Sequence, residues 1–220
     1  PVAAVAATDR FSLPHAGFQR ELSVSADAAS ISCGALVLAA GFSNRFGSIK
    51  LCAELASGKT VFAQSLDNLQ QAIEKVVVVT RPELVEPLIQ YCDTLQIFDQ
   101  AERGMGATLA YGIALVEDWD SCLVCLADMP FIQPATYRTL AAALGPDRIV
   151  IPQYQGRPGN PVGFGRQFYP ELSSLSGDGG GRPVVQAHGD AVQRLDVTDA
   201  AVLDDIDTPA DLARLQSGQR

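Results

Sequence analysis

The sequence predicts an α/β protein built on a mostly parallel sheet with helices on both faces. Continuous apolar runs at Ile31–Leu38, Val76–Val79 and Ser121–Ala127 read as strands buried on both sides. Segments with helical spacing alternate with them. Polar or glycine-rich residues follow several runs directly, at the carboxyl ends where open α/β sheets bind ligands.

The elements follow in order. Ile31–Leu38 is the first strand. Thr60 is placed to cap a helix whose apolar positions are Val61, Phe62, Leu66, Leu69 and Ile73. Val76–Val79 is the second strand, and Pro82 suits the first turn of the next helix. Leu95–Phe98 is a short strand, and a helix follows the Gly104–Gly106 loop. Ser121–Ala127 is a buried strand, Pro134–Leu144 a helix and Ile149–Ile151 a strand. Gln155–Asn160 reads as a loop before the strand Pro161–Phe164. Asp207-Thr208-Pro209 opens the last helix with a capping side chain and proline at its first position. Residues 31–216 show no internal repeat or linker and read as one domain, with a short tail at 217–220. Residues 1–30 are rich in Ala and Ser without sustained periodicity, and read as an N-terminal extension.

Composition narrows the function. Hydrophobic residues make up 47% of the 220, enough for a sizeable core. A net charge of −9 argues against a general nucleic-acid surface, which needs clustered cations. The sequence has no apolar run near the ~20 residues of a membrane span, and Pro1–Ala7 lacks the basic start of a signal peptide. A cytoplasmic location is the expectation. Five scattered cysteines point to reduced thiols. Cys122 and Cys125 form a CxxC, but an odd separation in a strand sends them to opposite faces, so they read as core residues.

The chemistry gathers at strand ends. Residues 38–50 read Leu-Ala-Ala-Gly-Phe-Ser-Asn-Arg-Phe-Gly-Ser-Ile-Lys. Small residues let the backbone approach a ligand, and Arg45 and Lys50 supply charge for a polyphosphate. The segment is neither a P-loop nor the Gly-x-Gly-x-x-Gly of a dinucleotide site, which speaks against a nicotinamide-dependent reductase. Asp128 directly follows a buried strand, and taken alone reads equally as a turn or cap residue. Asp205 and Asp207 share one face of an extended segment, and Asp207 is also a good N-cap. Carboxylates at two strand ends make a seat for Mg²⁺, which takes one or two of them plus phosphate and water. His15 and His188 are the only histidines, and neither adjoins a Ser or Cys nucleophile; His188 is expected on a solvated helix end. Charge neutralisation, positioning and a metal remain, which is most of what phosphoryl or nucleotidyl transfer needs.

These motifs, in this order, resemble the MobA-like nucleotidyltransferase family, and within it the branch that transfers CMP to molybdopterin. The likeness covers residues 31–216. Leu38–Lys50 is similar to the family's opening signature throughout. Gly104-Met105-Gly106-Ala107-Thr108-Leu109 resembles its segment near the base and ribose. Leu126-Ala127-Asp128-Met129-Pro130 resembles its metal-binding strand end, and Asp205-Ile206-Asp207-Thr208-Pro209 its closing motif. Gly159-Asn160-Pro161-Val162 and Gly177–Arg182 resemble acceptor-side segments.

The resemblance implies a Rossmann-like, three-layer α/β/α fold. It implies nucleotide binding by Leu38, Ala39, Ala40, Gly41, Arg45, Lys50, Gly106 and Thr108, with Arg45, Lys50 and Asp128 catalytic. Mg²⁺ would sit on Asp128 and Asp207 with Asp205 in support, and the acceptor would meet Asn160, Asp178 and Arg182. Ala39-Ala40 is similar to the CTP-using branch. Three departures stand out: Asn160 for the usual His, Gly179 for the usual Lys, and Leu51–Leu55 for a more apolar continuation. The expected function is Mg²⁺-dependent transfer of CMP from CTP to molybdopterin. The alternatives are a sugar phosphate or other phosphorylated acceptor, and a non-catalytic nucleotide or pterin carrier serving a molybdenum enzyme.

Overall fold

The computed structural model describes residues 32–92 and 95–218, so the N-terminal extension and the last two residues lie outside the described residues. The chain alternates strands and helices in the order β1 (Cys33–Ala39), α1 (Val61–Gln70), β2 (Val76–Thr80), α2 (Val85–Leu88), β3 (Leu95–Ile97), α3 (Met105–Ala114), β4 (Ser121–Leu126), α4 (Pro134–Ala143) and β5 (Ile149–Tyr154). It continues through β6 (Arg157–Pro158), β7 (Val162–Gly165), α5 (Tyr169–Leu172), α6 (Arg182–Ala187), β8 (Val192–Asp196) and α7 (Pro209–Gln216).

The sheet runs β3-β2-β1-β4-β7-β5-β6, and β8 also pairs with β5. Parallel ladders join β3 to β2, β2 to β1, β1 to β4, and β5 to β8. β7 runs antiparallel to both β4 and β5, and β6 folds back on β5 as a hairpin. The sheet is thus mixed and mostly parallel. Helices cover both faces, because strand side chains alternate between them. In β1, Ala35, Val37 and Ala39 join Phe62 and Leu66 of α1, Tyr137 and Leu140 of α4, and Leu215 of α7. Leu36, Leu38 and Ala40 join Leu109 and Ile113 of α3, Leu172 of α5 and Val184 of α6. Cys122 and Cys125 are buried in opposite cores, as their odd separation requires.

Several elements differ from the sequence expectation. The segment opened by Pro82 is a 3₁₀ turn, the single-turn α2 and a second 3₁₀ turn (Ile89–Tyr91), not one helix. Pro87 lies within it and has no N–H to extend the ladder. α3 begins at Met105, inside the segment expected to be a loop. β8 is a strand beyond those the sequence predicts, because its sequence, Val-Gln-Arg-Leu-Asp, is polar and only partly buried. The 155–160 loop contains the two-residue β6.

The start of α7 differs in a way that matters for the site. Pro209 occupies the first turn, so Thr208, not Asp207, is the N-cap. Its hydroxyl accepts from the Asp211 N–H at 3.1 Å, and the Asp211 carboxylate accepts from the Thr208 N–H at 2.9 Å. This reciprocal box leaves the Asp207 side chain free for other partners. Thr208→Ala is expected to lower unfolding free energy by about 1 kcal/mol in urea titrations; unchanged stability would contradict the cap.

Candidate active site

A cleft of about 450 Å³ opens at the carboxyl ends of β1 and β4. Its floor is Leu38, Ala39 and Ala40, which leave β1 buried in the core. The Ala39 carbonyl accepts from the Thr80 hydroxyl at 3.0 Å, and the Leu38 carbonyl from the Ala127 N–H at 3.2 Å. These bonds tie the loop origin to β2 and β4.

Beyond Gly41 the chain turns at Ser43, whose φ is 55°, and at Gly47, whose φ is 80°. The Ser43 carbonyl accepts from the Phe46 N–H at 2.9 Å, which closes the turn. A 3₁₀ turn follows at Lys50–Cys52. Leu51 anchors it in the α1-side core, and Lys50 projects into the cleft.

The Lys50 ammonium lies 2.5 Å from Asp128 Oδ2 and 3.1 Å from Asp207 Oδ1. The Arg45 guanidinium lies 2.6 Å from Asp207 Oδ2. Asp128 leaves the end of β4, and its carbonyl accepts from the Ile206 N–H at 3.1 Å, holding the Asp205–Asp207 segment beside it. Burial pulls the Lys50 pKa down, but the carboxylates of Asp128 and Asp207 more than offset this, so it lies above the ordinary lysine value. The Arg45 side chain is 72% exposed, so its pairing adds little stability. The cations and acids of the cleft are thus in direct contact.

Asp205 also lines the cleft. Burial raises its pKa, and the neighbouring charges of Asp207 and Asp128 raise it further. Asp128 Oδ1 is buried with no hydrogen-bond partner among the described residues. Yet the described residues contain no group of three or more His, Cys, Asp or Glu arranged to hold a metal. Asp205 therefore does not complete a preformed three-acid cage with the other two. The donor set still fits Mg²⁺, which typically uses one or two carboxylates and takes its other ligands from phosphate and water.

The opposite wall comes from the 3₁₀ turn before α3 and from α3 itself: Ala101, Glu102, Gly104, Met105 and Thr108. The 176–178 loop locks onto it. The Gly177 N–H donates to the Arg103 carbonyl at 2.8 Å, and the Gly106 N–H to the Gly177 carbonyl at 2.7 Å. Gly104 has φ of 94°, and a Cβ there would sit 2.4 Å from the Gly177 carbonyl carbon. Asp178 lines the cleft through this lock.

The structure thus brings Leu38, Ala39, Ala40, Gly41, Arg45, Lys50, Thr108, Asp128, Asp178, Asp205 and Asp207 to one cleft. Gly106 lies behind the wall against the 176–177 backbone, and Asn160 and Arg182 are not cleft residues. The Asn160 N–H donates to the Val202 carbonyl at 2.8 Å, and Arg182 begins α6. Met105 is 44% exposed and lines the cleft. Phe42, another cleft residue, carries the Arg81 guanidinium 4.6 Å from its ring centroid. Glu102 also lines the cleft; only its position three residues before Met105 in the glycine motif hinted at this. His188 caps the C-terminal end of α6, and its side chain is partly exposed there. Its Nε2 lies 2.7 Å from Glu171 Oε1 and its ring packs edge-on against Phe168.

Comparisons place this geometry among known proteins. The MobA-like NTP transferase domain matches residues 35–192. Purine catabolism protein PucB of Bacillus subtilis is 31% identical, over 78% of this chain and 90% of that protein. A probable molybdenum cofactor guanylyltransferase of Geobacillus is 31% identical over 48% of this chain and 55% of that protein. The crystal structure of Rv0371c from Mycobacterium tuberculosis superposes with a TM-score of 0.75 at 29% identity, covering 84% of this chain and 97% of that one. Rv0371c has also been solved in complex with manganese; that structure is 26% identical, with a TM-score of 0.71, over 84% of this chain and 98% of that one. The fold is the α/β nucleotidyltransferase fold.

The glycines of the two walls make separable predictions. Gly47→Ala meets open space and carries only the left-handed backbone penalty, about 1 kcal/mol. Gly104→Ala adds a clash with Gly177 and is expected to lose about 3 kcal/mol in chemical denaturation. Equal losses would contradict the lock between α3 and the 176–178 loop.

Proposed function

Because the chain belongs to the MobA-like NTP transferase family, we propose that it transfers CMP from CTP to the terminal phosphate of molybdopterin, with Mg²⁺ as its metal. The observation that carries the reading is Lys50 held between Asp128 and Asp207 at the mouth of the cleft. Polyphosphate transfer needs cations and acids within reach of the same ligand. The choice of CTP is supported by the Ala39-Ala40 pair, and that of molybdopterin by the order of the motifs and likeness to a probable molybdenum cofactor guanylyltransferase.

The triphosphate enters against Lys50 and Arg45, which exchange carboxylate oxygens for phosphate oxygens. Asp128 and Asp207, released from Lys50, would hold the divalent ion. Bound there, it would supply neutralisation of phosphate charge and polarisation of the α-phosphate. An oxygen of the acceptor phosphate attacks the α-phosphorus in line. The bond from that phosphorus to the α–β bridging oxygen breaks, and pyrophosphate leaves with the electron pair. Lys50 stabilises the charge that develops on the departing oxygens. No side-chain nucleophile takes part, in keeping with His188 being engaged by Glu171.

A second reading keeps the reaction and changes the acceptor to another phosphorylated metabolite. It rests on Asn160 and Gly179, which alter the acceptor-side motifs, and on the likeness to PucB. Pyrophosphate release, with product mass, is to be measured for CTP, GTP, ATP and UTP against molybdopterin and a panel of sugar phosphates. Cytidylylated molybdopterin as the main product is the expected result; turnover only with another acceptor would establish the second reading. Lys50→Ala is expected to lower kcat/KM by about 100-fold. A loss under about threefold would remove Lys50 from the mechanism.

A further inference from the structure

The α3 wall carries acids that the transfer chemistry does not use. Glu102 and Asp178 both border the cleft. Lys50 and its partners are anchored in the α1-side core through Leu51, whereas Ala101, Ala107 and Leu109 anchor this wall in the opposite core. The cleft therefore straddles the end of the sheet, with its cations on one side and these two carboxylates on the other.

Asp178 is the more rigidly placed of the pair. Its loop is clamped by the Gly177–Arg103 and Gly106–Gly177 hydrogen bonds of 2.8 and 2.7 Å. Its Oδ1 lies 2.7 Å from the position a Gly104 Cβ would take, so the carboxylate rests directly over Gly104 at the start of α3. Only glycine permits this approach. No hydrogen bond or ion pair engages the carboxylate among the described residues. Glu102 has a longer side chain, and ordering it on a ligand costs more rotamer entropy.

A nucleoside triphosphate has three parts to distribute over these walls. Its phosphates go to Lys50 and Arg45, because a carboxylate repels them. Its base suits the buried, small-residue floor of Ala39, Ala40 and Ala101. Its sugar is covalently between the two and presents hydroxyl donors, and an ionised carboxylate is an acceptor only. We propose that Asp178 recognises the ribose hydroxyls of the bound nucleotide and selects ribonucleotides over deoxyribonucleotides. This assignment rests on the nucleotide-transfer reading above, and it moves Asp178 from the acceptor side to the nucleotide side of the cleft.

The test is equilibrium binding of CTP and GTP, each beside its 2′-deoxy and 3′-deoxy forms, and of UTP, in the presence of Mg²⁺. Wild type, Asp178→Ala, Asp178→Asn and Glu102→Ala are compared, with thermal melting to check folding. Wild type is expected to prefer the ribonucleotide by about tenfold over at least one deoxy form, the scale of a charge-assisted hydrogen bond. Asp178→Ala loses that preference by weakening ribonucleotide binding alone, and Asp178→Asn, which keeps an acceptor oxygen, retains part of it. A preference that persists in Asp178→Ala overturns the proposal, as does one that is lost in Glu102→Ala. So does a change in the CTP-to-UTP ratio with the sugar ratio intact, since Asp178 would then read the base. If wild type binds no nucleotide, the transfer reading fails and this assignment with it; an unmoved sugar ratio with nucleotides bound removes only the role of Asp178.

Discussion

The ammonium of Lys50 between the carboxylates of Asp128 and Asp207 is the contact on which the candidate site depends. It joins three remote pieces of the chain: the turn after β1, the end of β4 and the approach to α7. Each reaches the spot for a separate reason. Leu51 pins the turn in the core. β1 and β4 are adjacent parallel strands, so their carboxyl ends coincide. The Ile206 N–H bonds the Asp128 carbonyl, and Thr208 takes over the capping of α7, which frees Asp207. Removing Lys50 would leave the Asp128 carboxylate without its counterion, a costly arrangement in a low-dielectric cleft.

The same contact explains how one fold serves a charged substrate. In the free protein the acids satisfy the cations and the cations satisfy the acids. A metal-bound triphosphate carries both kinds of charge and offers a replacement for each partner. The exchange swaps ion pairs for ion pairs, so the site need not hold unpaired charge before the ligand arrives. The α3 wall is built differently, from backbone hydrogen bonds and glycines, and it supplies shape and acceptors in place of charge.

Much of this was legible in the sequence. Apolar runs such as Val76–Val79 are strands because nothing else buries four consecutive valines on both faces of a sheet. The loop with Arg45 and Lys50 was marked by small residues and two cations together. Legibility failed where tertiary contacts decide. β8 is polar and half-exposed, and only its pairing with β5 makes it a strand. Asp207 looked like a cap until Pro209 is used to fix the helix frame, a signal the sequence did contain. Glu102 and Asp178 meet in one cleft only because the 176–178 loop folds back on α3, a contact between segments some 70 residues apart that no local pattern encodes. Asn160 and Arg182 were placed by motif likeness alone, and the structure leaves them outside the cleft.

The most direct measurement is a crystal structure with Mn²⁺ and a non-hydrolysable CTP analogue, using manganese anomalous scattering to locate the metal. The expected result is a manganese peak within coordination distance of Asp128 and Asp207, with the triphosphate against Lys50 and Arg45 and the Lys50–Asp128 contact broken. A nucleotide bound elsewhere, with Lys50 still paired to Asp128, would contradict it.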